Sequence, residues 1–197
     1  MIHKLQTYPD PVMDREFRQI YDWLRKPFWN DINFPAANLR PGNTTPTWQK
    51  VNGDIFGFVF SDSTVNDLVG SEELLHGYLR GSDISLHLHW KPLTTSTGVC
   101  RWGLEYSWTN IGSDTAASTI IYAEQAGAGV AGRHQILSFP DISGAGKQYG
   151  SCFECRIFRD AAHANDTLTG GAHLIQFGIH YQSWLLGSEE VYAQNVI

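Results

Sequence analysis

The chain has 197 residues, 42% of them hydrophobic and 13% aromatic, with seven Trp, 19 Gly and a formal charge of −6. That length buries one sizeable core without staples, and so many aromatic residues and glycines favour strands and tight turns over a helical bundle. An acidic balance with no Lys/Arg run excludes a phosphate-binding nucleic-acid face, and no stretch approaches the ~20 apolar residues that span a bilayer. Three cysteines make no disulfide framework, and Met1–Gln6 lacks the apolar core of a signal peptide, so synthesis in a host cytosol is expected.

In chain order, Tyr8-Pro-Asp-Pro11 reads as a helix start, with Asp10 as N-cap and Pro11 as the first helical residue. The helix is predicted to reach Leu24, and Met13, Phe17, Ile20 and Leu24 form a narrow apolar stripe along it. Such a stripe needs a partner, either the chain's own sheet or a second copy. Pro27 stops the helix, and Trp29–Pro35 leads into a Pro/Gly/Thr-rich link at Pro41–Pro46. Two units are therefore expected: an attachment arm, residues 1–27, and a β domain, residues 28–197. From Trp48 onward short strands alternate with turn signals. They are predicted at Asp54–Phe60, Ile84–Trp90, Arg101–Trp108, Ser118–Glu124, His134–Phe139, Gly150–Arg159 and His173–Trp184. Gly70–Arg80 has an ambiguous period, and Thr94–Gly98 reads as a hairpin loop. About eight antiparallel strands with Gly-rich connections predict an all-β, jelly-roll type β-sandwich.

The strand from Ile84 to Lys91 carries the strongest pattern. Ile84, Leu86, Leu88 and Trp90 share one face, which places Ser85, His87, His89 and Lys91 on the other. Gly81 followed by His87-x-His89 matches the opening of the cupin metal motif, and two imidazoles one repeat apart suit iron, manganese, nickel or zinc. The Glu that the motif requires is missing after His89, so Glu105 and His180 are the candidate substitutes. Hydrogen bonding across the sheet or to another subunit is the competing role for His87 and His89.

Other motifs carry less. Cys152-x-x-Cys155 lies within a strand pattern, so its sulfurs point to opposite faces. Gly127–Gly132 fits a dinucleotide fingerprint in letters alone, since no helix follows it. Trp90, Trp102, Tyr106 and Trp108 lie in the apolar phase of their strands, which leaves Trp29, Trp48 and Trp184 as candidates for surface contact.

Several stretches together resemble small structural proteins of tailed-bacteriophage virions: Trp29-Asn-Asp31 with Phe34-Pro35, His87-Leu-His-Trp90, Trp102-Gly-Leu-Glu-Tyr-Ser-Trp108, Gly144-Ala-Gly-Lys147, Cys155-Arg-Ile-Phe-Arg-Asp160, and Ala172-His-Leu174 with Ile179-His-Tyr-Gln182. The resemblance spans roughly residues 29–190, and it departs where such proteins commonly read Trp-Asp-Asp instead of Trp29-Asn30-Asp31. It implies a β-sandwich without catalytic activity or cofactor, located in the virion as a head decoration, spike, neck or tail-fibre component. Its partners would be other copies of the chain, as a homotrimer, and phage head, neck or tail proteins reached through the arm. The alternatives are a fibre module that binds host glycan through exposed aromatics and a cupin-like metal-dependent enzyme.

Overall fold

A computed structural model describes residues 11–24 and 26–183. Asp10 and Trp184 lie outside the described residues, as does the side chain of Met13. The helix α1, Pro11–Leu24, is followed by eleven strands: β1 Phe28–Pro35, β2 Arg40–Pro41, β3 Thr47–Asn52, β4 Ile55–Phe60, β5 Asp67–Glu73, β6 Ile84–Pro92, β7 Val99–Thr109, β8 Thr119–Ala126, β9 Gln135–Ser138, β10 Cys152–Arg159 and β11 Ala172–Ser183. They form two antiparallel sheets, β3-β4-β11-β6-β9 with β1 also on β11, and β2-β5-β10-β7-β8. This is the expected all-β sandwich of jelly-roll type.

Two expectations fail on connectivity. Thr94–Gly98 is no hairpin loop, because β6 and β7 belong to different sheets and the segment crosses between them. Turn residues mark where a chain reverses, whereas the sheet that the next strand joins depends on long-range pairing. Phe28–Pro35, read as the approach to a link, is a full strand paired with β11 from Phe28↔Ser183 to Pro35↔Gln176. Its signal was the alternation of buried Ile32 and Phe34 with exposed Asp31 and Asn33.

The core lies between the sheets. Leu86, Leu88 and Trp90 of β6 face Trp102 and Leu104 of β7, all fully buried, and Trp102 meets Phe60 and Trp90 edge-on, with ring centroids 5.0 and 6.3 Å away. Each large apolar side chain so buried contributes roughly 1.5–3 kcal/mol. The indole N–H groups of Trp90 and Trp108 donate to Gln125 Oε1 and Ser151 Oγ, both at 2.7 Å, so these two rings enter the core without an unsatisfied donor.

One charged pair lies at the end of this core. Arg159 takes an inward position on β10 and is fully buried. Its guanidinium donates to Asp166 Oδ1 at 2.7 Å, to Asp166 Oδ2 at 3.0 Å and to the Gly170 carbonyl at 2.8 Å. Asp166 Oδ2 also accepts the Arg101 backbone N–H at 2.9 Å. The pair therefore pins the β10–β11 connection to the start of β7.

In α1, Ile20 and Trp23 are each 54% exposed and Phe17 is 43% exposed, while Leu24 is half-buried. Ile20 of the stripe is thus turned to solvent, whereas Trp23, beside the stripe, meets the ring of Phe28 on β1 edge-on at 5.9 Å.

Replacing Arg159 by Leu leaves Asp166 buried without its counter-charge and is expected to cost about 3–5 kcal/mol in urea unfolding. The double replacement Arg159→Leu with Asp166→Leu should recover part of that loss. A single-variant cost below about 1 kcal/mol would mean that the pair does not hold the connection.

Candidate functional site

With Leu86, Leu88 and Trp90 inward, β6 presents Ser85, His87, His89 and Lys91 on the outer face of the six-stranded sheet. On the neighbouring β11, His180 lies opposite Ser85, Gly178 opposite His87 and Gln176 opposite His89. On β1 beyond it, Asp31 lies opposite His180 and Asn33 opposite Gly178. Gly178 decides the geometry. A Cβ there would collide with the imidazole of His87, so only glycine lets that ring lean across onto β11. His87 is therefore 5% exposed despite its place on the polar face.

The ring stacks on His180 with centroids 4.3 Å apart and planes 26° from parallel, and it meets His89 edge-on at 5.0 Å. His180 Nε2 lies 3.9 Å from Asp31 Oδ2. At the other end, His89 Nδ1 and His134 Nε2 share a hydrogen bond of 2.8 Å. The outcome is a row across three strands and the loop before β9: Asp31, His180, His87, His89, His134.

Burial, then the neighbouring His180, lowers the pKa of His87, and burial, then His134, lowers that of His89. Both favour the neutral form, in which an imidazole has one donor and one lone pair. His87 Nδ1 is buried without a hydrogen-bond partner among the described residues. Asp31, His87 and His180 each offer a ligand atom, and these lie within 4.8 Å of one another.

The cupin-like arrangement is not formed. His87 and His89 turn away from the sandwich interior, and Glu105 lies on β7 in the other sheet, where it accepts from Arg156 at 2.9 Å and Ser118 at 2.8 Å. Those two hydrogen bonds lower the Glu105 pKa. His180 does join His87, as expected, whereas Asp31, Gly178 and His134 were missed. Asp31 was hidden because its strand was read as a link, and Gly178 because its role exists only opposite His87.

The candidate aromatics separate. Trp29 is 61% exposed on the same outer face, opposite Gln182 and two residues from Asp31. Trp48 is instead part of an aromatic lip at the sheet edge, 4.8 Å from Phe58 and 6.3 Å from Phe56. The outer face of the five-stranded sheet is covered by ion pairs, Arg156 with Glu105 and Asp67, and Arg101 with Glu124 and Asp160. Cys155 is buried, its pKa raised to about 12 by burial, while Cys152 is exposed, the opposite-face arrangement expected from their spacing.

No protein-family model matches the chain, and no curated protein matches it. Among solved structures it is similar to CBM35 from Cellvibrio japonicus Abf62 (TM-score 0.44, 9% identity, 76% of this chain and 92% of that one). It is also similar to TmCBM61 in complex with β-1,4-galactotriose (TM-score 0.35, 13% identity, 78% and 88%) and to infectious bursal disease virus Gx strain (TM-score 0.38, 9% identity, 79% and 32%).

Lower on the same face, His173 packs over Gly57 with its Nδ1 unpartnered among the described residues. Burial, and secondarily the charge of Lys91, lowers its pKa from 6.5 to about 4. As pH falls through this window the unfolded chain takes up a proton that the fold refuses. Stability is therefore retained above pH 6.5 and lost toward pH 4, by at most about 3 kcal/mol from this group. Calorimetry between pH 7 and 4 should show a shallower fall for His173→Gln, and an unchanged slope would exclude His173 as a source of acid sensitivity.

Proposed function

We propose that this protein is a non-catalytic recognition module that binds glycan on the outer face of its six-stranded sheet. The observation that supports this reading is Trp29, an indole 61% exposed beside the polar side chains of Asp31, His180 and Gln182 on neighbouring positions of β1 and β11. An aromatic ring offers a flat apolar platform, and sugar hydroxyls need planar donors and acceptors beside it. Gln182, Asp31 and Asn33 supply these at neighbouring register positions. A hydrogen bond of 2.5 Å from Gln176 Nε2 to Asn33 Oδ1 holds one of the amides in place. The platform sits on paired strands, so little ordering is needed on binding.

A second reading concerns the setting: a tailed-phage virion component that self-associates and docks through residues 1–27. The exposure of Ile20 and Trp23 supports it, because a 14-residue helix is marginal alone and gains stability by covering its apolar side. The occupant proposed for that side is a second copy of the chain, in a homotrimer.

A glycan array followed by titration calorimetry is expected to find a ligand whose Kd weakens roughly tenfold or more in Trp29→Ala. No bound glycan, or equal binding by the variant, would refute the proposal. Deleting residues 1–27 should keep the strand circular dichroism and convert a trimeric mass in light scattering to a monomeric one. A monomeric mass for the intact chain, or loss of strand signal on truncation, would refute the arm reading.

A further inference from the structure

The geometry points to a divalent transition-metal site formed by Asp31, His87 and His180 on the outer face of the six-stranded sheet. Three adjacent strands supply one ligand each, β1 the carboxylate, β11 and β6 the imidazoles, with Asp31 directly opposite His180. The three ligand atoms already lie within 4.8 Å of one another. Ligands around one tetrahedral ion at about 2.0–2.2 Å sit roughly 3.3–3.6 Å apart. The remaining contraction falls on His180 and Asp31, whose side chains are 47% and 33% exposed and can turn.

His87 is the fixed member. It is more than nine-tenths buried over Gly178, and its Nδ1 has no hydrogen-bond partner among the described residues. A buried polar atom of this kind is costly unless satisfied, and the group is held beside a second imidazole and a carboxylate. Two imidazoles with one carboxylate suit zinc, nickel, cobalt or copper(II) rather than calcium or magnesium, which take oxygen ligands. The neighbouring His89 is engaged with His134 at 2.8 Å, so it lies outside the ligand set. Three ligands leave the solvent-facing position open for water or a bound group.

Metal binding here does not depend on glycan binding, and its test uses neither glycan nor activity. The full chain, stripped with chelator, is dialysed against Zn(II), and bound metal is counted by atomic spectrometry and titration calorimetry. One equivalent per chain is expected, with a rise in melting temperature on loading. His180→Ala and Asp31→Asn, both at exposed positions, should each weaken zinc at least about tenfold, since each removes one of three ligands. His134→Ala should leave the affinity unchanged. Co(II) should give visible bands of low coordination number in the intact chain and lose them in His180→Ala. Substoichiometric zinc in the intact chain would overturn the proposal. So would stoichiometric zinc that survives both ligand substitutions, or that is lost in His134→Ala, because the ion would then sit elsewhere.

Discussion

The sandwich depends on β11, the last strand among the described residues. β11 pairs with β6 along most of its length on one side and with β4 and β1 in succession on the other. Its inward residues Ala172, Leu174, Phe177, Ile179 and Tyr181 are all buried, and its outward residues carry His173, Gly178 and His180. A strand far along the chain thus completes both the core and the polar face. Such pairing is non-local and places a large entropic cost before its reward. The buried Arg159–Asp166 clamp sits on the connection that delivers this strand, where it fixes the loop that must end in register.

Three rings lie over glycines on the outer sheet surfaces. His87 covers Gly178, His173 covers Gly57, and Phe158 covers Gly103. In each case the missing Cβ lets a cross-strand ring lie flat against the backbone. The surface then behaves locally like a core: the two imidazoles lose solvent, their charged forms become unfavourable, and their nitrogens are left to find partners within the protein. That is how a polar strand face acquires a buried, neutral, under-satisfied histidine.

The two sheets consequently present different chemistry to solvent. On the five-stranded sheet Arg156 and Arg101 are each bonded to two carboxylates. On the six-stranded sheet a mixed row of carboxylate, imidazole and amide groups runs beside an exposed indole, with His87 Nδ1 unsatisfied. The groups of the second face thus retain capacity for a ligand, and Ile20 and Trp23 of the helix retain exposed apolar area.

The alternation of Ile84, Leu86, Leu88 and Trp90 by itself determined that β6 is half-buried and that His87 and His89 share its polar side, since side-chain direction follows strand period. The same rule separated Cys152 from Cys155 and placed Trp102 and Trp108 in the core. Composition and turn spacing were sufficient for an all-β sandwich. Only the tertiary structure decided that β6 and β7 lie in different sheets, that Phe28–Pro35 is a strand on β11, and that Asp31 rather than Glu105 joins His87 and His180. Register between strands about 90 and 150 residues apart is set by the joint packing of both sheets, and a local pattern contains no record of which strand will lie alongside.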